Sequence, residues 1–171
     1  LEQLPATVTD AKGKASGDPL NVVLVGDAAH MMAALSECGW SFTHRIDSTT
    51  VRRMIGAALN GEPYLTAPVS SLYCFGRPQD LAFQRARANL SQRNHMRLWL
   101  APYTVDGLPV WVGQISRDIG IKLTPKSSTL TTHVIDPMVD EARQFLLESL
   151  LFRFRVQFFG FIRASEPSFR E

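Results

Sequence analysis

The chain is poor in the residues that would settle its chemistry at once. Among 171 residues there are two cysteines, Cys38 and Cys74. Two are too few for a disulfide framework or a cysteine zinc site, and each sits in an apolar stretch, so both read as buried free thiols. Charge of one sign is also scarce. The net charge is +2, and Arg45, Arg52, Arg53, Arg85, Arg87, Arg93 and Arg97 are scattered. A dedicated nucleic-acid binder carries a concentrated basic stripe instead, so no nucleic-acid partner is expected. Long apolar runs are missing as well: the longest uncharged run, Pro63 to Gly76, has fourteen residues and two prolines, short of the roughly 20 a membrane helix needs. No basic-then-apolar leader and no initiator Met open the chain. It therefore reads as a soluble piece of something longer, with any targeting or membrane segment outside it. Glycine patterns of dinucleotide or P-loop sites and metal motifs such as HExxH are absent, and no cofactor is expected.

What is present suits one globular domain: 45% hydrophobic and 20% charged residues, enough to bury a core. Leu1 to Pro19 has no period and reads as a linker (1–19), the domain running over 20–163 and a tail over 164–171. Asn21 to Gly26 reads as a short strand. Asp27 then caps a helix to about Cys38, stopped by Gly39. Ser48 or Thr49 caps a second helix, Val51 to Leu59. Ser71 to Phe75 reads as a strand, Leu81 to Gln84 as a short strand or a helical turn, and Thr132 to Ile135 as a strand. Asp136-Pro137 opens a helix to about Leu151, with Asp140 and Glu141 near its positive end. Phe154 to Ile162 alternates and reads as a final strand. The expected architecture is α+β: a largely antiparallel sheet of about six strands with about three helices packed on it.

The most suggestive stretch is a hairpin. Asn94 to Leu100 and Val110 to Asp118 both alternate between apolar and chemically capable residues, and Asp106-Gly107 between them is a strong turn signal. Folded about that dipeptide, His95 faces Asp118, Arg97 faces Ser116 and Trp99 faces Gln114, while Met96, Leu98, Leu100, Trp111 and Ile115 point into a core. An aspartate so close would orient and charge the imidazole, as in acid–base pairs; otherwise the pair is a structural hydrogen bond on a half-buried face. No nucleophile elbow surrounds Ser116. Facing only a hydroxyl, Arg97 is expected to wait for an anionic ligand, with Trp99, Gln114 and Ser116 beside it.

Weaker candidates complete the reading. Gly26 to His30 opens a helix after a strand, a place where anions bind, but Asp27 would repel a phosphate and reads as a cap. His133 and Asp136 would offer a metal two ligands, with His95 and Asp118 completing the set if the strands adjoin; a plain capping role for Asp136 competes. Trp40, Trp99 and Trp111 suit ligand stacking or core packing. Phe145 to Ile162, rich in Phe and Leu with Arg153, Arg155 and Arg163 interspersed, suits a core helix followed by a core strand, or a membrane surface.

An ordered set of segments carries a family resemblance. Asp18-Pro19-Leu20-Asn21-Val22-Val23-Leu24-Val25-Gly26, Gly39-Trp40, Ala67-Pro68-Val69-Ser70, Phe75-Gly76-Arg77-Pro78-Gln79-Asp80-Leu81, His95-Met96-Arg97-Leu98-Trp99, Val110-Trp111-Val112-Gly113, and His133-Val134-Ile135-Asp136 with Asp140-Glu141-Ala142-Arg143 resemble the LssY C-terminal domain. The resemblance runs from about Asp18 to Ile162. It implies a bacterial protein whose domain often follows membrane modules, including phosphatidic acid phosphatase-like and DedA-like segments, and whose name comes from a secretion component. The partners it implies are membrane segments of the same or a neighbouring protein; an anionic lipid headgroup or a glycan is the ligand expected for the Arg97–Trp99 face. It also implies a place at the bacterial membrane or cell envelope. Two functions stay open: a non-catalytic accessory domain binding through the Arg97–Trp99 face, and a hydrolase of an envelope-derived ester or phosphoester using His95 and Asp118 with Arg97 holding the anion.

Overall fold

The structure, a computed structural model, describes residues 4–43, 71–86, 93–123, 131–135 and 138–162. Its centre is a long hairpin, β8 (Arg93–Val105) and β9 (Leu108–Leu123). The turn between them has Asp106 at φ 50° and Gly107 at φ 77°, the two left-handed residues of a two-residue hairpin turn. Val105 pairs with Leu108 and Thr104 with Pro109, as the Asp-Gly signal dictates. The register then shifts. Between Leu100 and Thr104, three residues of β8 oppose Val110 alone, and beyond the irregularity Leu100 pairs with Trp111. Pro102 lies in the irregularity, where its missing N–H breaks no ladder bond. A slip of two residues moves every pairing but changes no face, because side chains alternate with period two.

On the other edge of β8 lies β7 (Leu81–Ala86), followed by the short β4 (Ser41–Phe42). The far edge of β9 is shared. β3 (Val22–Val25) covers Val110 to Gly113, and β10 (Thr131–Ile135) covers Asp118 to Leu123. Between them the Asn21 side chain imitates a backbone amide: its Nδ2 donates to the Ile115 carbonyl at 3.0 Å, and its Oδ1 accepts from the Ile115 amide at 2.9 Å. All these pairings are antiparallel.

Two helices cover one face. α1 (Ala28–Glu37) starts at Asp27, whose carboxylate accepts from the Ala29 and His30 amides. α2 (Val139–Phe152) carries Asp140 and Glu141 in its first turn. Leu35, Trp40, Phe83, Met96, Leu98, Trp111, Ile115, Leu146 and Leu150 form the core beneath them. The other face is covered by a second sheet of four short strands in the order β2-β1-β5-β6. These are β1 (Thr7–Thr9), β2 (Ala15–Pro19), β5 (Tyr73–Cys74) and β6 (Arg77–Pro78). Val8, Cys74 and Trp99 form its core with Leu20 and Leu72.

The architecture is therefore mixed α+β with antiparallel strands, as expected, but two sheets replace one and ten strands replace six among the described residues. Two helices are described; Val51 to Leu59, expected as another, lies outside these residues, as do Asp136-Pro137 and 164–171. The segment expected to be a linker, 1–19, contributes β1 and β2. Their short alternation, as in Ala6-Thr7-Val8-Thr9, buries Val8 completely and is too brief to show as a period. The final strand expected over Phe154 to Ile162 does not form. α2 ends at Phe152, Phe154 turns the chain at φ 55°, and only Val156 of the following residues packs on the core.

Gly113 marks the tightest crossing. A β-carbon there would lie 2.5 Å from Val22 Cγ1 and 2.7 Å from Leu98 Cδ2. Gly113→Ala is expected to cost about 1–3 kcal/mol in chemical denaturation, as overpacking does. Adding Leu98→Ala should cost less than the sum of the single losses, because the larger residue then has room.

Candidate functional site

The two-residue slip decides the geometry of the polar face. His95 lies opposite Ser116, and Arg97 opposite Gln114. Trp99 lies opposite Val112, and Asp118 opposite Arg93 and, on its other side, Ile135. The expected His95–Asp118 and Arg97–Ser116 pairings are thus each displaced by one same-face position, and the carboxylate meant to orient the imidazole is not opposite it. From β7, Gln84 takes the remaining place beside His95, and Gln84 Oε1 lies 3.3 Å from His95 Nε2, the ring N–H donating. Arg93 also donates to that oxygen at 3.4 Å.

The face is closed to water. His95 is 6% and Arg97 7% exposed, and Gln84, Gln114 and Ser116 are buried. Arg97 donates from Nη1 to Gln114 Oε1 at 2.9 Å, so the guanidinium expected to wait for a ligand is bound internally. Asp18 of β2 is close enough to feel it. Burial raises the Asp18 carboxyl above its ordinary range, and the charge of Arg97 opposes that rise without cancelling it. Trp99, fully buried, donates from its indole to the Arg77 carbonyl at 3.2 Å. Trp111 donates likewise to Gly26 at 3.2 Å, and Trp40 lies in the helix-side core. None of the three tryptophans is available to stack a ligand.

The turn around Arg77 locks this arrangement. Phe75 and Gly76 both have positive φ, 52° and 72°, and turn β5 into β6. Arg77 donates to both Asp80 carboxylate oxygens, at 3.2 and 2.7 Å, and to the Leu100 carbonyl at 2.6 Å. Asp80 Oδ2 accepts the Leu100 amide at 2.7 Å, and Gln79 Oε1 accepts the Leu72 amide at 3.0 Å. The Arg77-Pro78-Gln79-Asp80 segment thus ties the small sheet to β8 just before the irregularity.

The remaining candidates resolve into structure. Asp27 is a cap, held below the usual carboxylate range by the His30 and Ala29 amides. Cys38 and Cys74 are free and buried. Burial pushes the Cys74 thiol up to about 11 and the Cys38 thiol upward, which leaves both poor nucleophiles. β10 does adjoin β9, with His133 opposite Ile121, and Asp136 lies outside the described residues. Among the described residues no three His, Cys, Asp or Glu side chains cluster to hold a metal.

Two grooves open elsewhere, and neither is lined by His95, Arg97 or Ser116. The larger, about 370 Å³, lies between the C-terminal ends of α1 and α2, among Glu37, Cys38, Gly39, Arg85, Ser149, Phe152 and Arg153. Arg85 Nη1 donates to Ser149 Oγ at 3.0 Å, and the Cys38 thiol donates to the Ser149 carbonyl at 3.3 Å. Beyond its rim the phenylalanines of residues 152–161 stand in solvent. The alternation of 154, 156 and 158 concealed this, because it fits a strand as well as a bare surface; the interspersed Arg153 and Arg155 were the available signal.

Both His95→Ala and Arg97→Ala are expected to lower the melting temperature, each corresponding to about 1–3 kcal/mol, because each strands a buried glutamine partner. Side-by-side thermal denaturation checks this, an unchanged melting temperature for Arg97→Ala being the adverse result. A pH effect follows from Asp80. Burial would raise its carboxyl, but the Arg77 hydrogen bonds, the Leu100 amide and the Arg77 charge outweigh it and hold it below the ordinary range. A depressed carboxyl stabilises the fold above its unfolded pKa, and that contribution is lost as pH falls through the folded value. Denaturation midpoints are expected to fall on acidification, and Asp80→Asn should flatten part of that fall.

Among the described residues no helix is long and apolar enough to cross a membrane. Neither a curated protein nor a solved structure matches the chain significantly. One family model does, described as the LssY C-terminus, and it matches residues 1–170. It takes in β1 and the start of β2, which lie before the Asp18 at which the resemblance begins, and reaches past Ile162 into the last residues. With nearly every position matched, from the first strand of the small sheet to beyond the exposed phenylalanines, the chain belongs to the LssY C-terminal family.

Proposed function

We propose that this domain is a non-catalytic accessory module of a bacterial membrane or envelope protein, and that it binds through the end where α1 and α2 finish. The observation that carries this reading is the contrast between its two candidate surfaces. The face bearing His95, Arg97 and Ser116 is buried, and Trp99 on the same face packs under the small sheet. A hydrolase needs its base within reach of a substrate and of water, and His95, 6% exposed, lines neither described groove. At the helix ends, phenylalanines and arginines meet solvent beside a groove. Exposed apolar patches of that kind mark interaction sites on soluble folds. The attachment to membrane segments that the family resemblance implies agrees with a binding role.

The competing hydrolase reading has a direct test. In a broad ester and phosphoester screen, with and without divalent metals, the domain is expected to give no turnover that distinguishes it from His95→Gln. Turnover by the parent that His95→Gln abolishes, with the variant still folded by circular dichroism, would overturn the accessory reading.

A further inference from the structure

The residues after α2 carry an unusual combination. α2 ends in the same hydrogen-bonded cap as α1. In α1 the Trp40 amide reaches the Leu35 carbonyl and the Gly39 amide reaches Ser36; in α2 the Arg155 amide reaches Leu150 and the Phe154 amide reaches Leu151. This cap requires a left-handed residue, a role that glycine fills at little cost. Gly39 fills it in α1 at φ 80°, whereas Phe154 fills it in α2 at φ 55°. A bulky residue is strained there, and burial does not compensate the strain, because Phe154 is 93% exposed. Phe152 and Phe158 are also almost wholly exposed, at 81% and 92%, with Phe159, Phe161 and Ile162 following them. Strain spent on holding an apolar ring in water points to a surface that is used.

The charges around this surface have one dominant sign. Arg153 and Arg85 line the groove. Glu37, the acidic group of the groove, is occupied by Arg155 through bonds of 2.8 and 2.6 Å. Arg143, paired with Asp140 at 3.2 Å, stands 5.9 Å from the Phe161 ring. Ser149 also lines the groove, its hydroxyl donating to the Phe145 carbonyl and accepting from Arg85. Guanidinium groups and a hydroxyl at the rim of a phenylalanine cluster match the two layers of a bilayer surface: anionic phosphates outside, acyl chains within.

We propose that the end of the domain formed by the α1 and α2 termini and residues 152–162 docks on the surface of an anionic phospholipid bilayer. The phenylalanines enter the interface, and the groove between Arg85 and Arg153 receives a headgroup phosphate. This deepens the accessory reading and rests on it. Turnover in the hydrolase screen would undo that reading, whereas a failure of vesicle binding undoes only the lipid assignment.

The test is flotation of the full chain with vesicles of phosphatidylcholine alone and of phosphatidylcholine mixed equally with phosphatidylglycerol. The expected result is binding that is much stronger on the anionic vesicles and weakens with salt. Arg153→Ala should lower the partition coefficient about fivefold on the anionic vesicles, the effect of one arginine near such a surface. Phe158→Ser with Phe159→Ser should lower it on both. Phe154→Gly separates binding from folding: it should melt no lower than the parent, since it relieves the left-handed strain, and yet bind vesicles less well. Three results would overturn the proposal: equal partition onto both vesicle types, binding unchanged by the phenylalanine substitutions, or a dimer in size-exclusion chromatography that Phe158→Ser disperses, which would make a second copy the occupant.

Discussion

In the middle of the β8–β9 hairpin, over 94–99 and 110–116, both faces are out of water, and the rest of the domain is arranged around that condition. Met96, Leu98 and Ile115 lie under the helices, while Trp99 lies under the small sheet. A strand buried on both sides has little solvent to satisfy its polar side chains, so each needs a partner within the fold. Gln84 meets His95, and Gln114 Oε1 meets Arg97, while Gln114 Nε2 and both polar atoms of the Asn94 side chain are buried without a hydrogen-bond partner. What resembles catalytic equipment in the sequence is largely a buried polar layer, only partly satisfied from within. The small sheet, which seals that layer, is in turn fastened through Arg77 and Asp80 to the backbone of Leu100.

Much of the fold was legible because its signals are local. Asp106-Gly107 dictates its turn, Asp27 dictates its cap, and the alternation along β8 and β9 places Met96, Leu98, Trp111 and Ile115 in the helix-side core, though Leu100, expected with them, is exposed. The pairing across the hairpin was not legible from the turn alone. A two-residue irregularity leaves alternation untouched, so periodicity is blind to it; Pro102, inside a central strand, was the sign that the ladder is interrupted there. The small sheet escaped for a different reason. Strands of two or three residues have no measurable period, and their stability comes from partners distant in sequence, as Thr9 with Tyr73 shows.

The candidate site was legible as chemistry and illegible as exposure. Composition identifies His95, Arg97, Gln114 and Ser116 as groups able to bind or catalyse, but whether they meet solvent depends on β1 and β2, which read as a linker. At the chain's other end the error was of the opposite kind. An alternating apolar run promises burial, and Phe154 to Ile162 has no strand partner among the described residues. The two helix caps show one backbone arrangement filled by different residues: the same backbone bonds close both helices, with glycine at one and a solvent-facing phenylalanine at the other.

The shared outer edge of β9 has a consequence for the order of assembly. β7, β8 and β9 are joined through neighbouring stretches of chain, and such pairings close quickly. β3 reaches the same sheet from far away: Asn21 and Ile115, which splice its end into the ladder, are 94 residues apart. Contacts of that span require a large loop to close before they contribute anything. The amino-terminal strands are thus expected to join late in folding, onto a hairpin formed before them. A chain caught before they join would have a wet polar layer and an edge of β9 open to pairing with another chain.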